Sequence, residues 1–372
     1  MGKYVLYSHD GYGLGHVRRN VLIAREVAEH DPDAEITLVT GVREHPSWLQ
    51  DPRFSVVAVP PLLKDARGTY SNSSLGLDAA VAERARIFSR IVAQLRPDAV
   101  LVDRHPYGTA GELRAGLRQA RRQGAAILLG LRDVLDAVDS VRVEVSGPAW
   151  EGVGRVFDEI LVFGSPQVCD HELEYALPMR PVYCGWVVEP VQERARDDGL
   201  VVVSAGGGGD GQTVLRLGVE ALRRRPHLHG VLVVGPYARG SVHEILARDT
   251  SLAARVRPSL GTGSTVELFA SAGAVVQMCG YNSTLEALAA GQRAVLVPRR
   301  SPRREQAIRA SRLAALGLAD VVDETASPEE VAWLLDQPRR LARGACEGAG
   351  ITLDGARVAA AVLTSRAVSA AA

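Results

Sequence analysis

GAVVQMCGYNSTLEALAAGQRAVLVPRRSPRREQAIRA, residues Gly273 to Ala310, is the stretch from which the rest of the chain can be read. Ala274 to Met278 is an apolar run bounded by glycine on both sides and too short for a helix, so it reads as a buried strand. Asn282, Ser283 and Thr284 then offer amide and hydroxyl groups to cap a new helix. Its apolar face, Leu285, Leu288 and Ala289, falls at helical spacing, and Gly291 ends it. Ala294 to Val297 is a second buried strand, closed by Pro298. A strand, a glycine turn and a polar helix start make a nest of free backbone N–H groups, which attracts phosphate. Ser283 and Glu286 also have the spacing of a capping box, so Glu286 reads equally as a cap. In the basic run Arg299, Arg300, Arg303, Arg304, only Arg299 sits at the strand end and is a phosphate candidate. The others read as a solvated helix entry.

With 372 residues the chain has room for two domains of ordinary size. An apolar fraction of 47% is that of a globular protein, and 5% aromatic residues points away from base-stacking or peptide-groove readers. Lys plus Arg and Asp plus Glu number 43 each, so no nucleic-acid partner is expected. Cys169, Cys184, Cys279 and Cys346 are scattered without a CxxC pair, which suits free thiols in a reducing compartment. No apolar run approaches the ~20 residues that span a bilayer, and the N-terminus enters a strand without a signal-peptide core. The expectation is a cytoplasmic protein with at most peripheral membrane contact.

In the first half, Tyr4 to Ser8 reads as a strand followed by HDGYGLGHVRRNVLIAREVAEH. Gly11, Gly13 and Gly15 permit a tight turn, and Val17, Val21, Ala24 and Ala28 give a helical stripe. The dinucleotide fingerprint is incomplete, since Arg18 stands where its third glycine belongs. His16 falls in the first turn of the helix, where a side chain faces the crevice beyond the strand ends of an open α/β sheet. It reads as a turn cap or as a base. Glu35 to Thr40, Phe54 to Val59 and Glu159 to Phe163 are further strands, Val182 to Gly185 leads out of the domain, and Leu77 to Leu95 is a helix. Pro60 to Leu77 reads as loop. Asp103 ends the strand Ala99 to Val102 just before RHPYGTAGEL, again an active-site position in open sheets. It is a second base candidate, an orienter of His16, or a cap.

Trp186 to Gly199, with Pro190 and the charged run QERARDDG, reads as an interdomain linker. Leu200 to Ser204 opens a second α/β series, followed by AGGGGDG, whose Gly207, Gly208 and Gly209 let backbone N–H groups approach a ligand. No P-loop lysine follows, so a kinase or ATPase reading fails. Val231 to Gly235 and Ala254 to Val256 continue the strands, and Leu341 to Val368 reads as helical.

GYNSTLEALAAG, VPR and EQAIRA together resemble the donor-binding half of GT-B glycosyltransferases, particularly the peptidoglycan glucosaminyltransferases that make lipid II. They resemble a group of bacterial predicted glycosyltransferases more closely still, in which DRHPYGTAGEL and GLRDVLD recur. GLGHVRRN resembles the first loop of GT-B transferases and also that of a nucleotide-sugar hydrolase of pseudaminic acid synthesis. The resemblance implies the GT-B fold, two facing doubly wound parallel-sheet (Rossmann-like) domains with a cleft between them. Residues 1–187 would be the acceptor-side domain and 188–340 the nucleotide-sugar domain, with 341–372 a C-terminal helix packing back on the first.

The same resemblance implies the site. Gly15, Gly207, Gly208, Gly209, Leu260, Asn282, Ser283, Thr284, Glu286, Arg299, Glu305 and Gln306 would bind the donor. Glu286 would hold the ribose, the turn around Leu260 the base, and Gln306 would lie near the sugar. His16 would be the general base, with Asp103 its partner or alternative. The implied reaction is inverting transfer of a sugar from a nucleotide-sugar donor, UDP-linked by preference, to a hydroxyl on a small-molecule, lipid-linked or polysaccharide acceptor. Helix N-termini and Arg299 would meet the departing diphosphate, so no metal and no cofactor is expected. A nucleotide-sugar hydrolase and a non-catalytic sugar-nucleotide-binding protein remain as alternatives. The long Pro60 to Leu77 connection and DRHPYG favour an acceptor site over the hydrolase.

Overall fold

The apolar runs YVLY, ITLV, AVLV, AILLGL and EILVF of the first half all become strands buried on both faces, the mark of a parallel sheet covered by helices. The structure is a computed structural model and describes all residues except 10–14, 43–46, 65–69, 73, 193, 207–210, 235–248, 261–263 and 372. Two structural units are present, Met1–Val187 with Asp354–Ala372, and Val188–Leu353.

The strands of the first unit are β1 (Lys3–Ser8), β2 (Glu35–Thr40), β3 (Ser55–Ala58), β4 (Leu63–Lys64), β5 (Tyr70–Ser71), β6 (Ala99–Asp103), β7 (Ala126–Arg132), β8 (Glu159–Phe163) and β9 (Pro181–Tyr183). Seven of them form one parallel sheet in the order β3-β2-β1-β6-β7-β8-β9. The order reverses between β1 and β6, and connections diverging from such a point leave a crevice at the carboxyl ends of the two strands. Ser8 and Asp103 are register partners there. The Pro60 to Leu77 connection is not loop throughout, because β4 and β5 pair as a two-residue antiparallel ladder, Leu63 with Ser71 and Lys64 with Tyr70.

The turn after β6 is fixed from inside. Gly108 has φ +81°, and a Cβ there would run into the Glu112 carboxylate. That buried carboxylate accepts from the Tyr7 hydroxyl at 3.0 Å, Arg84 Nε at 3.1 Å and the Ala110 N–H at 2.8 Å. Arg84 also donates to the Pro60 carbonyl at 2.7 Å. One buried, fully hydrogen-bonded cluster thus ties β1, the helix Leu77–Leu95, the start of the Pro60 connection and the RHPYGTAGEL turn into a single frame.

The second unit carries β10 (Asp197–Ser204), β11 (His229–Val234), β12 (Val256–Leu260), β13 (Ala272–Gln277), β14 (Val295–Leu296) and β15 (Asp320–Val321). They form a parallel sheet ordered β12-β11-β10-β13-β14-β15, which reverses between β10 and β13, where Ser204 pairs with Gln277. Its core joins Val201, Val203, Leu217, Leu222, Val276, Val295 and Val331.

Three sequence expectations shift. Ala254 to Val256 was to be a strand, but Asp249 accepts the Leu252 N–H at 3.0 Å and caps a short helix, Thr250–Ala253, so the strand starts only at Val256. The charged end of the linker is already strand, since β10 begins at Asp197. The helix expected over Leu341 to Val368 is broken into Ala345–Gly348 and Gly355–Ala371. The chain rejoins the first unit at Asp354, which bridges to Val187, while the Gly355 N–H bonds the Trp186 carbonyl at 3.0 Å. Ala359, Ala360 and Leu363 are then buried, the last helix packing on Gly15–His30.

Candidate active site

β1 ends at Ser8, the chain passes His9, and the helix Gly15–His30 places His16 in its first turn. His16 Nδ1 lies 3.1 Å from Asp103 Oδ1 at the end of β6. Arg19, three residues on and so on the same helix face, clasps the same carboxylate, with Nε 3.0 Å from Oδ2 and Nη2 2.7 Å from Oδ1. Its guanidinium also lies 4.9 Å from the Phe163 ring centre. Arg19 Nη2 is 3.0 Å from His16 Nδ1 as well. In the tautomer that carries its hydrogen on Nδ1, the ring donates to Asp103 and Nε2 is left to accept. Burial alone would raise the Asp103 carboxyl, but the charges of Arg19 and His16 outweigh it and hold the group below the usual carboxylate range. Asp103 is thus an anion matched by Arg19, whose service to His16 is orientation and tautomer rather than net charge.

Sequence reasoning missed four neighbours. The His9 ring lies 4.5 Å from that of His16 and 5.3 Å from that of His105. His105 Nδ1 faces Glu144 Oε1 across 3.6 Å, and Arg104 Nη2 bonds Glu144 Oε2 at 2.8 Å. Burial holds His9 well below the ordinary imidazole value and His105 below it. Burial pushes Glu144 up, but His105 and Arg104 override it and keep the carboxyl at about 2. The signal was present, because His9 stands one residue and His105 two residues beyond a strand end in the two quoted motifs. Arg104 and Glu144 meet only in the fold, 40 residues apart.

These histidines, held neutral in the folded chain, make the protein acid-sensitive. His171, pushed down by burial to about 4, belongs to the same set. Their folded-state values lie below the unfolded value of about 6.5, so on acidification the unfolded chain takes up protons first and stability falls. Stability is full above pH ~6.5 and declines toward pH 4, by about 3 kcal/mol for His171 alone at 1.36 kcal/mol per unit. Urea midpoints should drop steadily between pH 7 and pH 5, a window in which ordinary carboxylates stay ionised. A flat profile would mean that the rings are not held neutral.

In the second unit, the helix Tyr281–Ala289 has Gly280 as N-cap and no side-chain cap bond. Asn282, Ser283 and Thr284 are consequently inside the first turn rather than capping it. Ser283 Oγ bonds back to the Gly280 carbonyl at 3.4 Å, and the buried Thr284 hydroxyl meets Cys279 Sγ at 3.6 Å. The capping box is also overturned. Glu286, 5% exposed, accepts from the Thr265 N–H at 3.0 Å, from the Thr265 hydroxyl and from Ser264 Oγ at 3.5 Å. Leu260 closes β12, and the described chain resumes at Ser264, which with Thr265 lies against Glu286.

Arg299, Glu305 and Gln306 also converge. Arg299 Nη2 is 2.8 Å from Glu305 Oε1, and its N–H is 3.4 Å from Gln306 Oε1. The buried Glu305 offsets much of the positive charge expected of Arg299 toward a diphosphate. Arg300, 65% exposed, pairs with Asp323 and fits the solvated reading. Sequence reasoning passed over Arg309, which is buried and donates to the Cys279 carbonyl at 2.8 Å, bracing the turn before the helix. Gly15 starts its helix in the first unit, and Gly207, Gly208 and Gly209 lie outside the described residues.

Glu286→Gln is expected to lower apo stability by about 1–3 kcal/mol, because an amide cannot accept all three donors of the 264–265 segment. This replaces the capping-box expectation of an almost unchanged melting point, and chemical denaturation of ligand-free protein measures it. An unchanged midpoint would show those bonds to be dispensable.

Among the described residues no group of three or more His, Cys, Asp or Glu side chains is placed to hold a metal ion. No helix among them is long and apolar enough to cross a membrane. No protein-family model and no curated protein matches the sequence. Solved structures do match. MurG of Acinetobacter baumannii superposes with TM-score 0.62 at 16% identity, covering 98% of this chain and 100% of that one. UGT2 of Phytolacca americana, complexed with UDP-2fluoro-glucose and pterostilbene, gives 0.61 at 15%, covering 98% and 94%. The glycosyltransferase SnogD from Streptomyces nogalater gives 0.56 at 18%, covering 100% and 98%. Two doubly wound parallel sheets and these likenesses define the chain as a protein of the GT-B fold, the fold of glycosyltransferases.

Proposed function

We propose that the chain is a glycosyltransferase that moves a sugar from a nucleotide-sugar to an acceptor hydroxyl. The observation that carries this reading is the His16–Asp103–Arg19 set at the reversal point of the first sheet. His16 exposes 21% of its side chain and Asp103 none, so a hydroxyl reaches the ring and not the carboxylate. His16 Nε2 takes the acceptor proton while the acceptor oxygen bonds the anomeric carbon. The carbon's bond to the diphosphate breaks on the opposite side, and configuration inverts. Asp103 holds the ring through Nδ1–H, the part that the carboxylate plays in other His–Asp pairs.

Donor contacts fall to the second unit, with Glu286 and the 264–265 segment toward the nucleoside and Glu305–Gln306 toward the sugar. The UDP-sugar held by the Phytolacca neighbour supports a UDP-linked donor. Backbone N–H groups opening the helix Tyr281–Ala289 favour the leaving diphosphate without a metal, so activity should survive EDTA. The test is to incubate the chain with UDP-glucose or UDP-N-acetylglucosamine, with and without an acceptor panel, following UDP release and product mass. Release that rises with an acceptor, with a matching sugar adduct, supports transfer. Acceptor-independent release would make the chain a hydrolase, and donor binding without release a non-catalytic binder.

A further inference from the structure

Two His–carboxylate–Arg sets stand at the reversal of the first sheet, and the reaction above uses one. Beside His16, Asp103 and Arg19 lie His105, Glu144 and Arg104. Each imidazole turns Nδ1 toward its carboxylate, at 3.1 Å for His16 and 3.6 Å for His105. Each carboxylate is in turn held by an arginine, through Arg19 Nη2 at 2.7 Å and Arg104 Nη2 at 2.8 Å. Both imidazoles leave 21% of the side chain exposed, and both border the His9 ring, at 4.5 and 5.3 Å. Glu144 faces Nδ1 at ion-pair distance, and the tautomer that carries its hydrogen on that side leaves Nε2 of His105 as a lone pair. Arg104 already balances Glu144, so the second set has no charge to offer a phosphate or carboxylate. What it recognises is a hydrogen-bond donor.

We propose that His105 is a second acceptor-binding residue, and that the acceptor is a polyol, a sugar or cyclitol with a further hydroxyl near the reacting one, rather than a molecule with a single hydroxyl. The reacting hydroxyl donates to His16 Nε2 and its neighbour donates to His105 Nε2. Between them His9, held well below the ordinary imidazole value and so uncharged, contributes no cation to compete for either hydroxyl. The inference rests on the transferase reading, and the experiment separates the two.

The full chain, labelled with ¹⁵N-histidine, is titrated with methyl α-D-glucopyranoside and myo-inositol, and with cyclohexanol as the single-hydroxyl control. Nε2 signals of His16 and His105 should move together with one half-saturation for a polyol, and cyclohexanol should need at least about tenfold more to act. His105→Leu should raise the half-saturation read at His16 by about tenfold or more, and His105→Gln, which keeps an acceptor oxygen, should recover part. A His105 signal unmoved by both polyols, cyclohexanol equal to them, or wild-type polyol binding in His105→Leu would each overturn the proposal. If His105→Leu does not fold, the wild-type signals decide. Transfer from UDP-glucose without any His105 response removes this inference and leaves the transferase. Response at both histidines with no transfer from UDP-glucose or UDP-N-acetylglucosamine removes the transferase reading and leaves the polyol site.

Discussion

His16→Ala lowers turnover by about 10²- to 10⁴-fold, the usual loss on removing a general base, while donor affinity stays within about threefold. The separation of the two effects follows from the proposed division of labour. Every side chain assigned to the nucleotide lies in the second unit, so shortening His16 touches the proton transfer and leaves the donor contacts in place. Asp103→Asn is the companion variant. Its amide still meets His16 Nδ1 but offers the ring either an acceptor or a donor, so the tautomer that leaves Nε2 open is no longer imposed. A loss smaller than that of His16→Ala is expected. Initial rates with saturating donor, and donor dissociation constants by calorimetry, give both quantities. Normal turnover in His16→Ala with a dead Asp103→Asn would hand the base to Asp103, which the fold buries completely.

The sequence carried the two α/β series because parallel strands buried on both faces announce themselves as short apolar runs. Leu77–Leu95 was legible to the residue, with Gly76 before it and Arg96 in the left-handed region after it. The pairing of His16 with Asp103 was harder to see, since 87 residues separate them. What joins them is the register that sets Ser8 beside Asp103, and register between parallel strands is fixed by tertiary packing. Arg19 looked like one polar residue in a helix rich in arginine. Only the strand end facing it turns it into the partner of a buried carboxylate. At Glu286 the local pattern misled for a related reason, because the S-x-x-E spacing is a signal within one turn. The competing donors, Thr265 and Ser264, come from a segment about 20 residues earlier. β7 was passed over although AILLGL is a short apolar run of the same kind.

Arg19→Met is expected to be among the most damaging substitutions for folding. Arg19 and Asp103 expose 2% and 0% of their side chains, so the carboxylate depends on the guanidinium for compensation. Taking away one partner of a buried pair strands the other charge and costs about 3–5 kcal/mol, more than the net worth of the pair itself. The hydrophobic methionine keeps much of the arginine stem's volume against Phe163, so lost packing accounts for little of that figure. The argument therefore predicts a rescue. Adding Asp103→Asn to Arg19→Met removes the stranded charge, and the double variant should regain about 2 kcal/mol or more over the single one. Urea unfolding of wild type, both single variants and the double variant at pH 7.5 completes the cycle. Additive losses, with the double variant less stable than Arg19→Met, would show that Asp103 is not held as an anion by Arg19. The orientation of His16 would then need another source.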